Sequence, residues 1–136
     1  MTDAPKAIRD FLLAQPGLMA VVETRIYAER DTPPPGYTPA GTGPAICFRV
    51  RGGGQDYEGV HLLPSVQFKC YGATEVEANE AYRVLYDALN DRQAYIIKHA
   101  QVETLGQTLR EPETGWAFVL VFFGLLITNE QEVKYG

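Results

Sequence analysis

Polar and apolar positions change period once near the middle of the chain, and that change organises the rest. Residues 65–71, Ser-Val-Gln-Phe-Lys-Cys-Tyr, alternate. Val66, Phe68 and Cys70 fall on one face, and Gln67, Lys69 and Tyr71 on the other. A period of two predicts a half-buried strand. Gly72-Ala73 interrupts it. Thr74-Glu75-Val76-Glu77 then reads as a capping box, in which the Thr hydroxyl accepts from the Glu77 amide and the Glu77 carboxylate reaches back. Beyond it Ala78, Ala81, Tyr82, Leu85, Ala88 and Leu89 recur at helical spacing. Glu75, Glu80, Arg83 and Asp87 sit mostly off that stripe. Asn90-Asp91 ends the helix. A strand followed by an amphipathic helix gives one sheet face a cover.

The remaining segments supply the sheet. Asp3 with Pro5 behind it marks a helix start, and Ile8, Phe11, Leu12 and Gln15 follow at helical spacing. Pro16-Gly17 stops that helix, and residues 18–22 suit a second helical turn. Residues 24–27 predict a short strand. Residues 29–43 hold Pro33, Pro34, Pro35 and Pro39, with Pro44 just after, and predict a long loop without regular structure. Residues 45–51 alternate as a strand: Ile46, Phe48 and Val50 on one side, Cys47, Arg49 and Arg51 on the other. Gly52-Gly53-Gly54 opens a second predicted loop, to Pro64. Residues 95–103 predict a strand made irregular by Lys98-His99, continued over 105–110 after a kink at Gly106. Glu111-Pro112-Glu113-Thr114-Gly115 predicts a chain-reversing turn.

Residues 116–128 predict a strand apolar on both faces. Trp116, Phe118, Leu120 and Phe122 take one side; Ala117, Val119, Val121 and Phe123 take the other. One face can rest on helices. The second needs cover from the chain's own loops, from the N-terminal helix or from a neighbouring subunit. The fold class expected is α+β, an antiparallel or mixed sheet of four or five strands with helices packed on one face. A single domain spans residues 1–128, with a polar tail over 129–136.

Composition narrows the function. With 136 residues, 46% hydrophobic and 21% charged, the chain can bury a real core. A net charge of −5 argues against general nucleic-acid binding, which needs surplus Lys and Arg against phosphate. No apolar run reaches the roughly 18 residues of a membrane span, and residues 1–5 lack a signal peptide's basic start and apolar stretch. Cys47 and Cys70 lie on opposite sides of their strands, so one sheet would hold them apart and no disulfide is expected. A reducing, cytoplasmic setting fits.

Enzyme signatures are absent. Gly41-Thr42-Gly43 and Gly52-Gly53-Gly54 lack the third glycine of a dinucleotide loop, and neither leads into a phosphate-cradling Gly-Lys-Ser/Thr. Ser65 is not in a glycine-flanked elbow. His61 and His99 lack a ligand partner at helical spacing, and no cysteine pair has zinc spacing. Glu111 and Glu113 in a turn read as solvated. No catalytic residue, cofactor or metal site is expected. Arg49, Arg51 and Lys69 form a basic set on the polar strand faces. They are either a solvated face or a match for acidic groups on a partner.

The order of segments resembles the tail-completion, or tail-terminator, family of long-tailed bacteriophages and related gene transfer agents. The matching pieces are the N-terminal helix with Arg25-Ile26-Tyr27 after it, Pro44-Ala45-Ile46-Cys47-Phe48-Arg49, Val66 to Gly72 with the helix bearing Glu75 and Ala78, and Glu-Pro-Glu-Thr-Gly before the last strand. The 29–43 loop is longer than that pattern. The resemblance implies a virion structural protein without catalysis, assembled in the host cytoplasm. It would form a hexameric ring on the head-proximal end of the tail tube and face a head-side connector or stopper, with DNA passing the bore unbound. On that reading Arg49, Arg51, Lys69, Trp116, Val119 and Val121 are candidates for the subunit interface. Asp31 and Tyr37 in the first loop, and Asp56, Tyr57 and Glu58 in the second, are candidates for docking or for the bore. A head-completion or connector ring of the same neck, and a small cytoplasmic enzyme or ligand-binding domain with a pocket between helix and sheet, stay open.

Overall fold

The structure is a computed structural model and describes residues 2–55, 61–90 and 97–128. These residues form α1 (Ala4–Leu13), α2 (Pro16–Val22), β1 (Ile26–Ala28), α3 (Pro39–Thr42), β2 (Ala45–Gln55), β3 (His61–Gly72), α4 (Glu75–Leu89), β4 (Ile97–Arg110) and β5 (Ala117–Thr128). The strands make one sheet in the order β1-β2-β3-β5-β4. β1 and β2 are parallel, and the other neighbours antiparallel. The fold is α+β with a mixed five-stranded sheet, as the pattern predicts.

Helices α1, α2 and α4 lie on one face and share one core with it. Ile8 and Leu12 of α1, Leu18 and Val22 of α2, and Leu85 and Leu89 of α4 join Ile46, Phe48, Val66, Phe68, Val121 and Phe123. The Phe68 ring lies 5.6 Å from Phe48 and 5.8 Å from Phe123, so the centre of the sheet is an aromatic row. At the start of α1, Asp3 accepts from Lys6 N at 3.2 Å. At the start of α4, Thr74 Oγ1 accepts from Glu77 N at 3.2 Å. The Glu77 carboxylate takes Ala73 N at 3.0 Å, one residue before the helix cap, so the box closes slightly early. Gly72 is where β3 passes α4 closely: a Cβ there would lie 2.4 Å from Ala78 N.

Four expectations need correction. Pro16 does end α1, but it also opens α2, since the first helical position needs no N–H. The 29–43 loop contains the short helix α3, started by Pro39 in the same way. The irregular stretch 97–110 is one strand, with register shifts at Ile97/His99 and on both sides of Thr104. The glycine-rich stretch 52–54 is not loop. β2 continues through it and pairs with β3 from Leu62, after a shift between Val50 and Gly53. Gly52 and Gly53 have φ of 91° and 116°, which an L side chain resists. A Cβ on Gly53 would also lie 2.1 Å from Leu63 O. This is a bulge, and it tolerates Pro64 as the residue opposite.

Candidate functional site

Among the described residues, α1, α2 and α4 leave the other face of the sheet uncovered. Antiparallel register decides which row of β5 points there. Phe68 pairs with Val121 and Cys70 with Val119, so both valines lie on the helix side. They are 0% and 1% exposed. Val119 and Val121 are therefore core residues, and a contact surface on the bare face cannot use them. The outward row is Phe118, Leu120, Phe122 and Leu126. Phe118 is buried, whereas the other three are half-exposed. The row could not be chosen from the sequence, because both rows of β5 are apolar.

The two ends of the outer face differ. Near Phe118 it is closed by the 29–37 segment and the 111–115 turn. Glu29, at a left-handed φ of 57°, ends β1, and its carboxylate takes Val50 N at 3.0 Å. Asp31 follows and is bound by three side chains. Arg49 Nη1 lies 2.7 Å from its Oδ2, Gln67 Nε2 lies 3.4 Å from its Oδ1, and Tyr71 Oη lies 3.1 Å from its carbonyl. Arg51 donates to Gln67 Oε1 at 2.7 Å. Tyr37 is buried, and its hydroxyl donates to Gly43 O at 2.5 Å, which pins the far end of the loop.

The turn meets this network through Glu111. Glu111 Oε1 accepts from Tyr71 Oη at 2.5 Å and lies 3.4 Å from Lys69 Nζ. Both members of that ion pair are only 17% exposed at the side chain. Lys69 Nζ also stands 4.9 Å from the Phe118 ring centre. Glu111 is thus a bound carboxylate, not the solvated one the turn suggested. The cause is register: Tyr71 pairs with Phe118, so the turn before β5 ends beside Tyr71. Glu113, in contrast, is exposed. Burial first, and the Glu111 carboxylate second, push the Tyr71 hydroxyl above its ordinary range. Burial likewise raises Tyr37 and Cys70. It pushes the Cys47 thiol up to about 12.

The sequence-derived candidates now have places. Arg49, Arg51 and Lys69 do share the outer face, but each is engaged within the chain. Asp31 and Tyr37 are structural anchors of the loop; Asp31 is exposed and Tyr37 buried. Trp116 stands at the mouth of a cleft of about 580 Å³ between the proline-rich segment and the turn. Its ring meets Tyr37 edge to face at 5.7 Å and Tyr71 at 6.4 Å. Asp56, Tyr57 and Glu58 lie outside the described residues, as do residues 129–136. Cys47 and Cys70 are free and buried on opposite faces, as the alternation predicts. Sequence reasoning missed Gln67, Tyr71 and Glu111. The first two share the outward register of Lys69, which was a usable signal; nothing local ties Glu111 to them.

Beyond the Leu120 position the outer face is open. Leu120, Phe122 and Leu126 stand half-exposed there. Ser65 donates to Glu103 Oε1 at 2.8 Å across β5, over Gly124. Among the described residues no helix is long and apolar enough to cross a membrane, and no group of three or more metal-ligating side chains converges.

No protein-family profile matches the chain, and no curated protein sequence matches it. Among solved structures it is similar to a chain of the "Virion of native gene transfer agent (GTA) particle". The TM-score is 0.63 at 18% identity, and the match covers 94% of this chain and 100% of that one. At that identity the likeness establishes a common fold, carried over the whole length of the virion chain.

Proposed function

We propose that this chain is a virion structural protein of the tail-terminator kind. Copies close into a hexameric ring on the head-proximal end of the tail tube, and the ring presents its other side to a head-side connector or stopper. The observation that supports this reading is the fold likeness to a chain of a gene transfer agent virion, end to end. The open row Leu120, Phe122 and Leu126 supports it further, since a head-to-tail contact in a closed ring would cover apolar side chains that the helices leave bare. The net charge of −5 suits a bore through which DNA passes without sticking. On this reading the protein is no enzyme, takes no cofactor, and belongs to the neck of a particle built in the host cytoplasm.

The test is deletion of the gene in a particle-producing host, with electron microscopy of the products. A tail terminator leaves tails of uncontrolled length that do not join heads. Tails of normal length beside filled, tailless heads would assign the chain to a head-completion or connector ring instead. Normal particles would refute both.

A further inference from the structure

The outer face and the β4 edge carry matching features on opposite sides of the sheet. On the outer face, Ser65 bonds Glu103 across β5 above Gly124. Leu63 and Leu126 stand two residues from Ser65 and Gly124, and together these residues line a groove of about 480 Å³. Leu63 is 41% exposed and Leu126 half-exposed. Glu103 gives the groove a carboxylate, and among the described residues no cation is paired with it. The groove thus offers aliphatic walls and a negative charge beside them.

The counterpart is Leu105, 68% exposed on β4. Simple alternation would put it on the same face as Glu103. The register shifts on both sides of Thr104 turn it to the helix side instead, beside Tyr82, Arg83 and Tyr86 of α4. Arg83 is exposed and has no hydrogen-bond or ion-pair partner among the described residues, whereas Asp87 in the same recess is already engaged. Leu105 thus offers an aliphatic side chain with a cation beside it. The sheet lies between Leu105 and the groove, so a molecule cannot fill its own groove. A projecting apolar group that suits a pocket elsewhere on the same molecule makes a head-to-tail contact.

We infer that Leu105 of one copy enters the Leu63–Leu126 groove of the next copy, where Arg83 meets Glu103. The contact rests on the ring reading and supplies its other half, since a head-to-tail ring needs two different patches on every subunit. Opposite charges beside an apolar contact fix its register.

The test is oxidative trapping in the purified full chain at high concentration, with Leu105→Cys and Leu126→Cys combined. Both positions are surface-accessible, and the native Cys47 and Cys70 are 1% and 0% exposed, so they do not compete. A disulfide forms only where the two Cα atoms approach within about 7 Å. Non-reducing gels should show a ladder of dimers, trimers and higher species, formed at least about ten-fold faster than cross-links in either single variant. In that background Glu103→Arg should slow trapping about three- to ten-fold, and Arg83→Glu added to it should restore the rate, which a damaged fold could not do. No cross-link, equal cross-linking in a single variant, dimers without a ladder, or no restoration by the charge exchange would each overturn the inference. A ladder from a chain whose deletion leaves normal tails would refute the tail-terminator reading and leave the contact standing. Rings seen on tails without a ladder would do the reverse.

Discussion

Both faces of the sheet carry apolar rows, and they are covered by different means. Helices cover the inner face, and its side chains merge into one core with α1, α2 and α4. The outer face is covered only at one end, by a loop and a turn. There a small cluster of Cys47, Tyr71 and Phe118 is sealed by hydrogen bonds and an ion pair. At the other end Leu120, Phe122 and Leu126 stay half-exposed. The inner face draws its stability from buried area, which is non-directional and large. The outer face relies on a few directed contacts, each individually modest. That contrast implies that the inner face specifies the fold, while the outer face is free to carry recognition.

The largest effect expected is from Val121→Asp. A carboxylate placed among buried apolar side chains has no partner and should cost at least about 4 kcal/mol. Urea denaturation should find the variant largely unfolded; a native-like midpoint would mean the inner row is not core. Next comes Leu85→Ala. Leu85 is fully buried in the cluster that holds Val66 and Phe68, and truncation should cost about 2–5 kcal/mol. An unchanged melting curve would remove α4 from the core.

Tyr71→Phe probes the directed contacts and should cost roughly 1–2 kcal/mol, since the Glu111 carboxylate and the Asp31 carbonyl lose the Tyr71 hydroxyl. It should also change the alkaline limb of stability. Tyr37, Tyr71, Cys47 and Cys70 all have raised values in the folded state, with burial as the first cause. A raised folded value means that the unfolded chain releases the proton first as pH rises. Their contribution is therefore intact at neutral pH. It declines above about pH 8.5 as unfolded thiols ionise, and further above about pH 10 as unfolded phenols do. Denaturation midpoints from pH 7 to 11 should fall, and Tyr71→Phe should flatten the part above 10. A flat profile in the parent chain would contradict burial of these groups.

Thr74→Ala removes one cap bond from α4 and should cost about 1 kcal/mol, read from the same denaturation curves. The smallest change in stability, about 1 kcal/mol or less, is expected from Phe122→Asp, next door to Val121 but on the open face. Its effect should appear in assembly. If the proposed ring forms through this row, light scattering and electron microscopy of tails made with the variant should show it lost. Tails of normal length capped by variant rings would show that the open row is not the subunit contact.

The sequence by itself determined most of the elements, though not α3 or the run of β2 through the glycines. The period-two run ending at Tyr71, the cap at Thr74 and the helical stripe to Leu89 read correctly because each depends on neighbours within one or two turns. The opposed placement of Cys47 and Cys70 follows from alternation alone. The glycine triplet held a legible hint of a bulge, but a run of glycines suits a loop equally well, and only Pro64 and Leu63 across the hairpin distinguish them. Tertiary structure decided which face of β5 is core. Val119 and Val121 look no different from Leu120 and Phe122 until β3 sets the register. It also decided the cleft. Arg30, Tyr37, Tyr71, Glu111 and Trp116 come from three distant segments, and no local rule links them. They meet because β3 and β5 pair antiparallel, bringing the turn before β5 to the end of β3, where the proline-rich loop already lies. Local sequence encodes period and caps. It does not encode pairing between strands some fifty residues apart, and the candidate site is made of that pairing.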